Sequence, residues 1–382
     1  MKICIVTFEY PPQIGGISHA VNRIAKGLLK KGVEMHIVAV TPNNRTSFSE
    51  NSVSESGNAI VHRFGPSSGD LKHISGKEAE DLSNYLIELD KEHDFDLFHA
   101  FTIFPCGYIT VKIAKKLGKP VIVSGRGEDG AIDLNSHNLE EKRWAVKNAN
   151  YLTFVSTEMM NHVDCFERCK YKSKVILNSL DPSEFYFLPH FKKPELKGFV
   201  IGIATTIREI KGFEYLLEAF ARFSKKYEST LILAGDFRTI DLKKKYLLLI
   251  HKLGIRNKVV ITGLIKHKFI LNYIDLMDVY VLPSVFSEGC PNSLLEAMYL
   301  GKPVIGSDIG AIPEIIEHKK NGLLFALKNV AGIYENLILL KEDKELCKEI
   351  KSEVKRTIIQ KFKYDKEPKR WFKIYNEIIK LP

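Results

Sequence analysis

Pro283-Ser284-Val285-Phe286-Ser287-Glu288-Gly289-Cys290-Pro291-Asn292-Ser293-Leu294-Leu295-Glu296-Ala297-Met298 follows a short apolar run, Val279–Leu282, and this order decides the fold. The apolar run reads as a buried strand and the Ser/Gly/Pro-rich stretch as a loop. The apolar pattern resumes as a helix starting near Asn292 or Ser293. In an open parallel sheet such a loop lies at the carboxyl edge, where ligands bind. The free backbone N–H groups at the helix start, which runs on from Pro291 through Asn292, Ser293 and Leu294, offer an anion site suited to a diphosphate. Gly289 and Cys290 belong to the same loop. Glu288 in the loop and Glu296 in the first helical turn can face one cleft, and carboxylates accept hydrogen bonds from sugar hydroxyls. Glu296 has a second reading, because Ser293-x-x-Glu296 also fits a capping box.

Working outward, short apolar runs alternate with longer amphipathic ones, the pattern of βαβ units and parallel sheets. In the first half the strand candidates are Lys2–Phe8, Glu34–Val40, Ala59–Phe64, Leu97–Ala100, Pro120–Ser124, Tyr151–Val155 and Val175–Leu177. Residues 18–31 place Val21, Ile24, Leu28 and Leu29 on one helical face and stop at Gly32. Residues 43–58 are polar and aperiodic and read as a surface loop. Prolines and charges cluster at 181–198 without periodicity, as in an inter-domain linker. The alternation restarts with Phe199–Ala204, Thr230–Ala234, Val259–Thr262, Val279–Pro283, Pro303–Ser307 and Leu323–Phe325. The expected division is 1–185, 198–360 and a C-terminal helix, 361–382. That helix carries Trp371, Phe372 and Tyr375, which need a surface to pack on, so it should fold back onto the N-terminal domain.

A chain of 382 residues exceeds what one core usually supports. The net charge of +10 is uneven: residues 1–190 carry 22 basic and 23 acidic side chains, leaving 34 against 23. A basic second half suits phosphate-bearing ligands or an anionic membrane surface. No helix-turn-helix, zinc-finger or RNA-recognition signature speaks for nucleic acid. No run reaches the roughly 20 apolar residues that span a bilayer, and the apolar start is too short for a signal peptide. A cytoplasmic location, extending to the inner membrane face, is the expectation. The six cysteines are scattered, and Cys165 and Cys169 lack a partner pair at zinc spacing, so no metal is expected.

Four further segments carry candidate chemistry. Ala204-Thr205-Thr206-Ile207-Arg208-Glu209-Ile210-Lys211-Gly212 joins a strand to a helix over Tyr215–Phe223, and two cations there would steady a diphosphate's charge. Gly15-Gly16, after Tyr10-Pro11-Pro12, lets backbone approach a ligand, although a tight turn alone would also use glycine. His99 ends a strand candidate at a carboxyl edge, where it is either catalytic or structural. Gly125-Arg126-Gly127-Glu128-Asp129 follows another strand. Arg126 stays protonated and cannot be a base, so it suits phosphate or acceptor binding, with Glu128 or Asp129 as partner or acceptor contact. A salt-bridged loop is the alternative.

Glu288, seven intervening residues, Glu296, Ala297-Met298, then Gly301-Lys302-Pro303-Val304-Ile305 resembles the signature of retaining glycosyltransferase family 4. The likeness continues through Asp308-Ile309-Gly310-Ala311-Ile312-Pro313-Glu314 and Asn321-Gly322-Leu323-Leu324-Phe325. It implies the GT-B fold, α/β with two Rossmann-like domains facing each other across a cleft. It also implies that Glu288 contacts the donor sugar, Glu296 the nucleotide ribose, and backbone at 291–294 the diphosphate. Lys211-Gly212 match the family. Its arginine commonly stands five residues before the lysine, where this chain has Thr206, so Arg208 is the substitute. Relatives often have a donor-contacting histidine at position 126. Asn178-Ser179-Leu180-Asp181 resembles a family turn and reads as structural.

The resemblance implies transfer of a sugar from a UDP- or GDP-linked donor with retention, to a saccharide or lipid-linked acceptor, in cell-surface polysaccharide or glycolipid synthesis. No cofactor and no metal are expected: no Asp-x-Asp motif ends a strand, leaving Lys211, Arg208 and helix N–H groups to meet the leaving group's charge. The rival readings are a non-catalytic sugar-nucleotide-binding partner and an epimerase on the same fold. A phosphorylase would need a pyridoxal-bearing lysine, and a dinucleotide dehydrogenase a G-x-G-x-x-G after the first strand.

Overall fold

The computed structural model describes residues 1–11, 13, 15–40, 48–54, 57–64, 76–127, 129 and 137–380. They form two compact units: Met1–Asn178 with Asp365–Pro382, and Ser179–Tyr364. Among the described residues no helix is long and apolar enough to cross a membrane.

The first unit holds β1 (Lys2–Thr7), β2 (Glu34–Val40), β3 (Phe48–Ser54), β4 (Gly57–Phe64), β5 (Leu97–Phe101), β6 (Val121–Gly125), β7 (Tyr151–Phe154) and β8 (Ser173–Val175). Their order is β3-β4-β2-β1-β5-β6-β7-β8, parallel throughout except the β3–β4 pair. Helices cover both faces of such a sheet, so its strands are apolar without alternation. Ile3, Cys4, Ile5 and Val6 are all fully buried.

Two readings of this half need correction. The stretch expected as a loop over 43–58 forms β3 and the start of β4, an antiparallel pair at the sheet edge. An edge strand is held by backbone bonds to one neighbour, so it carries no apolar signature. Residues 43–47 and 55–56 lie outside the described residues. The strand expected at Val175–Leu177 is instead Ser173–Val175.

The C-terminal helix, Lys366–Ile379, packs on the helix Gly16–Leu29. Trp371, Ile374, Tyr375 and Ile378 join the core of Val21, Ile24 and Leu28. Gly27 is there because a Cβ would lie 2.1 Å from Pro368 Cγ. Arg23 Nε donates to Glu367 Oε2 at 2.7 Å, with both side chains buried. Removing one member of a buried pair leaves the other charge desolvated, at about 3–5 kcal/mol. Glu367→Ala should therefore lower the stability of the first unit by about that much, read from urea denaturation.

The second unit holds β9 (Phe199–Ala204), β10 (Ser229–Ala234), β11 (Val259–Ile261), β12 (Val279–Leu282), β13 (Val304–Ser307) and β14 (Leu323–Phe325). All are parallel, in the order β11-β10-β9-β12-β13-β14. This is a doubly wound sheet whose order reverses between β9 and β12, and ligands bind at the carboxyl ends beside such a reversal. The stretch read as a linker is fastened to this unit. Tyr186 N donates to Lys268 O at 2.7 Å, and the Asn272 amide bonds both Tyr186 O and Leu188 N.

Candidate active site

The loops after β9 and β12 are knitted together. Val285 N donates to Ile210 O at 2.9 Å. Gly212 has φ +61°, and a Cβ there would sit 2.2 Å from Pro283 O. The loop after β13 joins them through Gly310, whose added Cβ would lie 2.2 Å from Glu288 O, while Ala311 N donates to that oxygen at 3.0 Å. Both glycines stand at positive φ with backbone pressed against them, so no other residue fits.

These loops bring Lys211 and Glu288 together. Lys211 Nζ lies 2.5 Å from Glu288 Oε1, with 6% and 13% of the side chains exposed. Ser284 Oγ donates to the same oxygen at 2.5 Å. Burial alone would raise the Glu288 pKa. The Lys211 charge and hydrogen bond, the Ser284 hydroxyl and the Arg208 charge outweigh it and hold the carboxyl below its usual range. Glu288 is therefore an anion near neutral pH, oriented by two donors. Arg208 precedes the 3-10 turn Glu209–Lys211, and its buried Nε has no hydrogen-bond partner among the described residues.

The helix after this loop runs Asn292–Tyr299, with Pro291 as N-cap and no side-chain cap bond. The capping-box reading of Ser293 and Glu296 is thus not realised. The helix begins at Asn292, the earlier of the two expected starts, which puts Glu296 in its second turn rather than its first. Glu296 is 3% exposed among fully buried Leu294, Leu295, Ala297 and Met298. Its Oε1 lies 2.9 Å from His267 Nε2. His267 follows β11, in the turn His267–Phe269. Nothing local in the sequence pairs it with Glu296; its one signal is a histidine just beyond a strand end. The buried Tyr280 hydroxyl donates to Ala204 O at 3.3 Å and feels the charge of both carboxylates. Burial first, then the charges of Glu296 and Glu288, raise its pKa against a hydrogen bond from Ser293. Gly289 is partly exposed and Cys290 buried in the loop between the two acids.

The first-unit candidates are placed differently. His99 lies in the middle of β5, fully buried. Its Nδ1 is 2.7 Å from Tyr375 Oη and its Nε2 2.8 Å from Ser124 Oγ, with Trp371 at 4.8 Å between ring centroids. Burial, with the Arg126 charge, lowers its pKa well below the usual value. Both ring nitrogens are engaged in the core, by Tyr375 and Ser124. Arg126, 4% exposed, donates from Nη1 to Asn178 Oδ1 at 2.8 Å and stacks 5.4 Å from the Phe101 ring centroid. Asp129 Oδ2 accepts from the N–H groups of Arg126 and Ile103, both at 2.9 Å, and so holds the loop. Glu128 lies outside the described residues, as do Pro12 and Ile14. Gly15 and Gly16 open the helix after β1. A Cβ at Gly15 would meet the Glu9 carboxylate at 2.1 Å, and one at Gly16 would meet nothing within 4 Å.

Similarity to known proteins follows the same division. The family pattern described as Glycosyl transferases group 1 matches residues 189–357, and that of Glycosyltransferase Family 4 matches 14–184. N-acetyl-alpha-D-glucosaminyl L-malate synthase of Bacillus anthracis is 24% identical, over 100% of this chain and 98% of its own. Sucrose-phosphate synthase from Thermosynechococcus elongatus superposes with TM-score 0.79 at 15% identity, covering 98% of each chain. The Anabaena protein HepE, solved in complex with UDP, gives TM-score 0.78 at 18% identity, over 99% of this chain and 100% of its own.

Proposed function

The chain belongs to the group 1 glycosyltransferases and has the GT-B fold, and from that premise we propose that it moves a sugar from a UDP- or GDP-linked donor with retention and without metal. The observation that carries this reading is the Lys211–Glu288 pair at the carboxyl ends of β9 and β12, where the sheet order reverses.

The diphosphate lies against Lys211, Arg208 and the start of the helix Asn292–Tyr299, where backbone N–H groups favour anions. Breaking the bond between the anomeric carbon and the phosphate oxygen sends the electron pair to that oxygen. Lys211 and Arg208 stabilise the charge it gains. Glu288 accepts hydrogen bonds from the sugar's hydroxyls, and its negative charge favours the cationic character developing on the ring. The acceptor hydroxyl attacks the same face, and its proton passes to the departing phosphate. Glu296, braced by His267, takes the ribose hydroxyls. HepE's complex with UDP supports a nucleotide at this site. The acceptor is a saccharide or lipid-linked saccharide in cell-surface polysaccharide or glycolipid synthesis. The basic second half suits work against the anionic inner face of the membrane.

Calorimetric titration with UDP-, GDP- and ADP-sugars tests the donor site. One nucleotide class should bind, and Glu296→Ala should weaken it by about ten- to a hundredfold, the worth of hydrogen bonds to a charged acceptor. If no sugar nucleotide binds, or the variant binds equally well, the assignment of the site fails.

A further inference from the structure

We propose that His36, His62 and His93 form a binding site for a divalent transition-metal ion, zinc first, in the unit that contains neither Lys211 nor Glu288. In register, His36 sits beside Ile60 and Val38 beside His62. The two rings therefore share one face of the sheet, two residues apart. His93 ends the helix Gly76–His93 and meets them there. A ring nitrogen of each residue lies within 4.8 Å of the others, and His36 Nδ1 is 3.1 Å from His62 Nε2. Zn–N bonds of about 2.0–2.1 Å in tetrahedral geometry put ligand nitrogens about 3.3 Å apart. His36 and His62 are already near that spacing. His93, only partly buried at a helix end, has the freedom to close on them.

The outer nitrogens have the partners that a ligating histidine uses. His36 Nε2 is 3.2 Å from Glu34 Oε1, and a carboxylate there takes the ring's N–H. That leaves Nδ1 of neutral His36 as the acceptor in its 3.1 Å contact with His62 Nε2, the lone pair a metal would take. On the far side, His62 Nδ1 is 3.1 Å from Tyr85 Oη. A metal-bound histidine characteristically gives its other N–H to such a carboxylate or oxygen, which fixes its tautomer. At the rim Glu34 Oε1 lies 3.9 Å from Lys2 Nζ and Glu92 Oε1 lies 3.6 Å from His93 Nε2, and a helix C-terminus adds negative potential. An all-imidazole set suits zinc, nickel or copper, not magnesium or calcium. Three such donors leave a fourth position for water.

The test is calorimetry of the tag-free full chain, stripped with chelator, against zinc chloride, with cobalt chloride followed by visible absorption. One zinc ion should bind per chain, and cobalt should give the intense d–d bands of a four-coordinate site. His93→Ala, at a partly exposed helix end, should fold and retain donor turnover while weakening zinc at least about tenfold. His36→Gln should act likewise. Absence of zinc binding to the parent chain would overturn the proposal. So would binding that both variants leave unchanged.

Discussion

Glu288→Gln is expected to lower transferase turnover by about 10²–10³, the usual loss when one preorganised electrostatic contact to a transition state is removed. Donor affinity should change far less, because the nucleotide is held by other groups. The substitution keeps the side chain's size, and the amide oxygen can still accept from Lys211 and Ser284, so the loop should stay folded. Lys211→Met is the harsher change. It leaves a buried carboxylate with Ser284 as its remaining donor within the trio, at a cost of about 3–5 kcal/mol in stability.

Combining the two removes both charges. The double variant should recover part of that stability and none of the activity, and this divergence separates a catalytic pair from a merely structural one. Full activity in Glu288→Gln would remove the main support for the mechanism. The pH dependence has a definite sign. The folded Glu288 carboxyl titrates below its ordinary value, 4.5. The pair's contribution is therefore complete above about pH 4.5 and is lost as the pH falls through the lower folded value. Stability of the Lys211→Met/Glu288→Gln chain should be flatter over that acid range.

Trp371→Ala should destabilise the first unit by about 3–5 kcal/mol, the range for emptying a large buried aromatic site. Trp371 is fully buried and seats the C-terminal helix on the core beside Val21 and Ile24. Its indole also covers His99, whose bonds to Tyr375 and Ser124 depend on that helix staying in place. A melting transition lower by on the order of ten degrees is expected for a unit of this size. Donor binding measured well below that temperature should survive, because the second unit holds Lys211, Glu288 and Glu296. A melting curve that does not move would show that the helix is only peripheral.

The order of strands and helices was legible because it rests on short-range periodicity. Phe199–Ala204, Glu34–Val40 and Leu323–Phe325 stand where the apolar runs put them. The loop from Pro283 to Pro291 and the helix start at Asn292 were equally visible, since proline, glycine and the return of apolar spacing are local signals. The edge strand Phe48–Ser54 escaped because backbone pairing to one neighbour demands no apolar pattern.

The partners of the charged groups were not legible at all. Lys211 and Glu288 are 77 residues apart and meet because β9 and β12 are neighbours despite the two strands between them in the chain. Glu296 finds His267 across 29 residues, and His99 finds Tyr375 across 276. Glycine-rich loops at a strand's end announce that a ligand can approach. Whether a histidine or arginine beside them faces that ligand or the core depends on which distant element packs over it. The sequence by itself therefore determined the sheets, the loops and the acids they carry. Only the tertiary structure decided that Glu288 is ionised against Lys211, that Glu296 leans on His267, and that His99 and Arg126 are turned inward, because burial and pairing are properties of strand order and not of spacing.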